Sequence, residues 1–326
     1  MFEKGIETAA GFTRAIHTVC RNHKSEVIQP GAATLFFVNP EGWALTCGHV
    51  ADLLAASHQL GERRRAFRAE LQAGLGQGKK RALERELERK HGFSRQKPFE
   101  VLNRFFNCVE GGLANVHFIR RKELDVALLH FTEFDRLLCD SFPVFSSDDR
   151  PKQGKLLCRL GFPFPEFQNY EYDKAAGEVR WTEAGRRDTP RFPIEGMVTR
   201  HLLDGSGNRV GFEMSTPGLR GQSGGPAFDA AGLVWGMQSS TNHLDLDFDV
   251  VEQEVLRNGQ RKRVSASTFL HVGHCMDVGV LKSFMREHGV QFQETGQAPG
   301  AEQTRAGCPT PSPEGVSRGE PNQKPV

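Results

Sequence analysis

From Phe99 to Val251 short runs of β-forming residues alternate with turn residues, and this pattern constrains the fold more than any other feature of the chain. Val126-Ala127-Leu128-Leu129, Leu156-Leu157-Cys158-Arg159-Leu160 and Val210-Gly211-Phe212-Glu213-Met214 are such runs. Asp204-Gly205-Ser206-Gly207-Asn208 is a hairpin turn. The pattern starts earlier, where Ala33 to Val38, a turn at Asn39-Pro40-Glu41-Gly42 and Trp43 to Thr46 read as strand, turn, strand. Strands this short bury their apolar faces only by closing into a barrel or stacking as a sandwich, so the fold class is all-β.

Helical spacing is confined to three places. Phe2, Ile6, Ala9, Phe12, Ile16 and Val19 predict an N-terminal helix within residues 1–24. Val280, Leu281, Phe284 and Met285 predict a C-terminal helix over 277–289, with Asp277 as N-cap and Gly289 as stop. Residues 61–91 carry ten basic and five acidic residues between 62 and 90, in two helix-forming stretches around Gly74 to Gly78. A charged helical hairpin facing solvent is expected there, and it is also a candidate docking arm for a protein regulator. Its basic excess admits nucleic-acid contact, which the absence of interleaved aromatics beyond Phe67 disfavours. Residues 293–326 hold six Pro, five Gly and only two of Val, Ile, Leu and Phe, so a disordered tail is expected.

Composition excludes some classes. The net charge of +2 argues against a protein built to coat nucleic acid. No apolar run approaches the ~20 residues that span a bilayer, so no membrane partner is expected. Seven cysteines without regular spacing, and no basic-then-apolar leader in Met1 to Cys20, point to reduced thiols and a cytoplasmic location.

The chemistry concentrates in Gly221-Gln222-Ser223-Gly224-Gly225-Pro226. The glycines clear space around the Ser223 hydroxyl and permit a tight turn. The N–H groups of Gly221 and Ser223 could then face the negative charge that develops on a substrate carbonyl. A serine is a weak nucleophile without a base. Thr46-Cys47-Gly48-His49-Val50 offers His49 after a strand, and Leu124-Asp125-Val126-Ala127-Leu128-Leu129 offers Asp125 at the start of one. An acid at Asp125 would fix the tautomer of His49 and stabilise its charged form.

In this order the three motifs resemble those of the trypsin-like, chymotrypsin-fold serine proteases, especially bacterial trypsin-like peptidase domains. The resemblance covers about residues 30–290 apart from 61–91. Leu233 to Thr241 is similar to the strand lining the family's substrate groove, and Ser239 to the serine that bonds the catalytic Asp. Gly161-Phe162-Pro163 resembles a Gly-Tyr-Pro turn early in the second barrel. The resemblance implies two antiparallel six-stranded β-barrels within a peptidase domain over 25–292. The first barrel would span about 30–147 and the second about 150–275. It implies a serine endopeptidase acting on a polypeptide through an acyl-enzyme, with His49 as base, Asp125 orienting it and Ser223 as nucleophile. Gly221 and Ser223 would form the oxyanion hole, and Pro217, Ser239, Ser240 and Thr241 the groove. No metal and no cofactor are implied.

The departures matter too. Gln222 stands where digestive members carry an Asp that pairs with a freshly cut N-terminus, which predicts activation without such clipping. Pro217 stands where a basic-residue pocket would need Asp, leaving Asp245, Asp247 and Asp249 as candidates for a pocket wall. His17, Cys20 and His23, and likewise His271, His274 and Cys275, have metal-ligand chemistry but read as structural. Cys47 reads as a small buried hydrophobe. The competing reading is a protease-fold interaction or regulatory module, nucleic-acid-associated through 61–91.

Overall fold

A computed structural model of the chain describes residues 1–74, 80–111, 115–139, 141–257 and 260–296. After helix α1 (Glu3–Phe12) the strands β1 (Thr13–Asn22), β2 (Ile28–Phe37) and β3 (Trp43–Cys47) follow, then helices α2 (Gly48–Ala73) and α3 (Lys80–His91). Next come β4 (Pro98–Phe105), β5 (Val109–Glu110), β6 (Asn115–Arg121), β7 (Val126–Thr132), β8 (Arg136–Leu137) and β9 (Val144–Phe145). The second half holds β10 (Leu156–Gly161), β11 (Tyr170–Asp173), β12 (Glu178–Trp181), β13 (Phe192–Leu203), β14 (Arg209–Met214) and β15 (Pro226–Phe228). It ends with β16 (Val234–Arg257), β17 (Gln260–Asp277), helix α4 (Val278–Glu287) and β18 (Gln293–Glu294).

Two six-stranded antiparallel units result. The first is a curled sheet in the order β4-β1-β2-β3-β7-β6. The second runs β15-β10-β13-β14-β17-β16, and pairing of β15 with β16 closes it into a barrel. One core spans both units: Phe36, Phe37, Leu128 and Phe131 of the first pack in the same cluster as Phe12 of α1, Phe228 of β15 and Leu281 and Phe284 of α4. Each such side chain, fully buried, contributes about 1.5–3 kcal/mol by leaving water.

The N-terminal helix is shorter than its periodicity predicts. It stops at Phe12, and Thr13 to Asn22 form an inner strand of the first sheet, so that sheet begins well before residue 30. Ile16 and Val19 suit helical spacing, but Thr13, Ile16, Thr18 and Val19 are β-branched, and pairing with both β2 and β4 decides the matter. The C-terminal helix is present, but the Asp277 side chain caps nothing and pairs with Arg209 instead. The tail expected from 293 begins ordered: β18 pairs with β9, and Glu294 accepts the buried Lys282 ammonium. Residues 297–326 lie outside the described residues.

The charged insertion differs most from expectation. Its first helix starts at Gly48, directly after β3, and runs unbroken through 26 residues to Ala73. Residues 75–79 of the glycine-rich break lie outside the described residues. The pair is not a solvated hairpin. Leu60, Phe67 and Leu87 bury against Phe93 and Phe99, forming a separate apolar cluster. Two of its arginines turn inward: Arg64 bonds the buried Glu100, which Arg21 also holds at 2.9 Å, and Arg68 reaches Glu178 at 3.1 Å. These pairs consume part of the basic excess that suggested a polyanion partner.

His17 of β1 is fully buried, stacked 4.1 Å from Phe167 and 4.8 Å from Phe106. Burial, with the nearby Arg104 charge and only partial relief from Asp188, holds its pKa down at about 4. As pH falls below the ordinary value of 6.5, the unfolded chain gains a proton that the folded chain refuses until about 4. Stability therefore declines across that window, by about 2 kcal/mol at pH 5 relative to pH 7. In His17→Phe this increment should vanish. Equal losses for both proteins in urea titrations at the two pH values would refute the assignment.

Candidate active site

The site starts at the junction of β3 and α2. Strand β3 delivers Cys47 to the barrel interior, and His49 occupies the first turn of α2. The free N–H groups at a helix start favour an anion. Asp125 supplies it. The 3₁₀ turn Lys122–Leu124 ends with Asp125 in the left-handed region (φ 49°), just before β7. Its Oδ1 accepts the His49 backbone N–H at 2.9 Å, and both carboxylate oxygens lie 3.0 Å from His49 Nδ1. Gly48 lets the two approach closely, since a Cβ there would lie 3.2 Å from the Asp125 backbone.

Ser239 of β16 gives Asp125 Oδ2 a further hydrogen bond at 2.5 Å. Burial alone would raise the Asp125 pKa. The bonds from the His49 ring, the Ser239 hydroxyl and the His49 N–H outweigh it and hold the carboxyl below its usual range. Asp125 is thus ionised at neutral pH. Its place on Nδ1 puts the ring proton there and leaves Nε2 able to accept another.

Ser223 comes from the turn between β14 and β15. Its Oγ donates to the Ser239 carbonyl at 3.0 Å, not to His49. Ser239 thus touches both groups, the acid through its hydroxyl and the serine through its carbonyl. Among the described residues no acceptor meets the N–H of Gly221 or Ser223. Gln222 is fully buried: its Oε1 accepts Leu219 N–H at 3.0 Å and its Nε2 donates to Phe192 O at 2.9 Å. Neutral backbone groups thus satisfy the position where a charged pair was considered.

Thr34 of β2 fastens this turn to the first sheet. Its N–H donates to Ser223 O at 3.1 Å and its hydroxyl to Gly221 O at 2.7 Å. The same hydroxyl accepts Phe162 N–H at 3.3 Å, so the Gly161-Phe162-Pro163 turn shares the anchor. Nothing in the sequence near Thr34 signalled this role.

A cleft of about 390 Å³ opens beside Ser223, lined by Pro217, Ser239, Ser240 and Thr241 as expected, and also by Arg220, His243 and His271. Asp245, Asp247 and Asp249 do not line it. They lie farther out on β16, whose 24 residues pair with β17 in a ribbon reaching Arg257 and Gln260. Strand polarity carries them away from the barrel, a displacement that spacing alone did not reveal.

The metal-like clusters resolve differently. His17 and Cys20 sit on β1 and His23 in the turn after it, and the three do not converge; His23 instead meets Glu84 and Glu88. The Lys24 ammonium occupies that acidic pair, 3.1 Å from Glu84 and 2.5 Å from Glu88. His271, His274 and Cys275 do not bring ligand atoms together among the described residues. Cys47 lies near His49 and Asp125, but its thiol donates to Gln238 O at 3.2 Å. Burial first, then the Asp125 charge, push its pKa well above the ordinary thiol value, so it is not a thiolate.

No curated protein matches the chain. One solved structure, an HtrA-type protease with a tripeptide, is 12% identical with a TM-score of 0.45. That match covers 89% of this chain, which spans 65% of the other. The family model described as a trypsin-like peptidase domain matches residues 33–237, a stretch that runs from β2 through His49, Asp125 and Ser223 into β16. That is most of the chain, and with it the protein belongs to the trypsin-like peptidase family of serine proteases.

Proposed function

We propose that the protein is an endopeptidase in which His49, Asp125 and Ser223 form a catalytic triad. Ser223 attacks the scissile carbonyl after its hydroxyl turns from the Ser239 carbonyl to His49. His49 Nε2 takes the proton, then passes it to the leaving amine. Asp125 fixes the ring and stabilises its cationic form. The acyl-enzyme on Ser223 is hydrolysed by water activated the same way. The N–H groups of Gly221 and Ser223 receive the oxyanion, and Pro217, Ser239, Ser240 and Thr241 border the substrate groove. The observation that carries this reading is Ser239, which bonds both the Asp125 carboxylate and the Ser223 hydroxyl beside two N–H groups that lack acceptors among the described residues. The neutral anchoring of Gln222 supports activity without a newly cut N-terminus.

Cys20, Cys47, Cys108, Cys158 and Cys275 form no disulfide, which supports a reducing, cytoplasmic setting. Hydrolysis of an unfolded protein such as reduced casein tests the reading. The wild type should degrade it and His49→Ala should lose on the order of 10⁴-fold or more in rate. Degradation unchanged in His49→Ala would overturn the triad.

A further inference from the structure

We propose that the cleft beside Ser223 accepts an acidic side chain, so that the enzyme cuts after glutamate or aspartate. The inference rests on the serine protease reading and names the substrate class it implies. The cleft is lined by one guanidinium, Arg220, and two imidazoles, His243 and His271, and by no carboxylate. The imidazoles face each other across β16 and β17 with Nδ1 atoms 2.6 Å apart, so both rings stand at the same wall of the cleft. Hydroxyl groups of Ser240 and Thr241 complete the polar wall.

A second observation points the same way. Arg159 of β10 is fully buried behind this wall. It donates to Thr216 O at 3.0 Å, Thr216 Oγ1 at 2.7 Å, Pro217 O at 3.1 Å and the side-chain oxygen of Gln238. All these partners are neutral, and its Nε is without one. Among the described residues no carboxylate pairs with Arg159 or Arg220. A guanidinium stays charged when buried, and a buried charge without a counter-ion is costly. A carboxylate entering the cleft would offset that cost. Two buried or half-buried acids of this region are committed elsewhere, Asp125 to His49 and Ser239, and Glu213 to Arg200 and Asn242. Two glycines keep the arrangement open. A Cβ on Gly218 would lie 2.3 Å from Gln238 Nε2, and one on Gly273 2.0 Å from Arg159 Nη1.

End-blocked peptides differing only in the residue before the cut test this. Glu should exceed its uncharged isostere Gln by about 30-fold in kcat/KM, with Lys poorest. Arg220→Gln should lower the Glu-to-Gln ratio about tenfold. A proteome-derived peptide library, with Ser223→Ala as blank, should show cuts after Glu or Asp. Cleavage that depends on Ser223 but follows apolar or basic residues would overturn the proposal and leave the protease reading standing. A library without any Ser223-dependent cut would contradict the protease reading itself.

Discussion

Ser223→Ala is expected to lower kcat on a peptide substrate by on the order of 10⁶-fold, as loss of a triad nucleophile does elsewhere. The fold should be untouched. Among the described residues the Ser223 hydroxyl makes one hydrogen bond, to the carbonyl of Ser239, a residue that lines the cleft. Removing it costs about 1 kcal/mol or less. The melting temperature should therefore move by only a few degrees, and substrate should still bind because the cleft walls remain. A variant that keeps a tenth of the wild-type rate would show that another group attacks the substrate. A variant that fails to fold would show that the serine holds the turn together.

Gly224→Ala should act through the opposite route. Gly224 lies in the left-handed region at φ 88°, and an added Cβ would fall 2.1 Å from Thr34 O and 2.4 Å from Thr46 Oγ1. Both atoms belong to inner strands of the first sheet, already joined by the Thr46 hydroxyl bond to Thr34 O at 2.7 Å. Relief requires the nucleophile turn and the first sheet to separate, breaking the Thr34 bonds to Ser223 and Gly221. A destabilisation of about 3–5 kcal/mol follows, with a fall in melting temperature of roughly 10 °C and loss of activity. Gly205→Ala serves as the control, since nothing lies within 4 Å of its Cβ position. It should change stability by no more than about 0.5 kcal/mol. A Gly224→Ala protein as stable and active as Gly205→Ala would contradict the close contact.

What could be read from the chain follows from how local each demand is. The glycines around Ser223 are required by the turn itself, so they stand out in any six-residue window. The Asp204 turn is equally local, and its side chain bonds the N–H groups of Ser206 and Asn208 as such turns do. Strand β1 was hidden because Ile16 and Val19 fit helical spacing while their β-branching suits a strand, and only pairing with β2 and β4 decides between the two. The true start of α2 was hidden because His49 serves the helix and the site together. Arg159 was visible as a charge inside an apolar run, yet its meaning depends on Thr216, Pro217 and Gln238, which are far from it in sequence. The two-barrel architecture followed from strand pattern and family resemblance; that the first unit is a curled sheet and only the second closes did not. The long β16–β17 ribbon did not, because its polar, charged strands bury little and leave no alternation to read.

The most direct test of the account is covalent labelling of the native protein with a fluorophosphonate, located by mass spectrometry of the digested adduct. A serine hydroxyl displaces fluoride from phosphorus only when a neighbouring base accepts its proton. The account predicts one adduct, on Ser223, abolished in Ser223→Ala and strongly slowed in His49→Ala. No adduct on the folded wild type, or an adduct that persists when Ser223 is replaced, would contradict it.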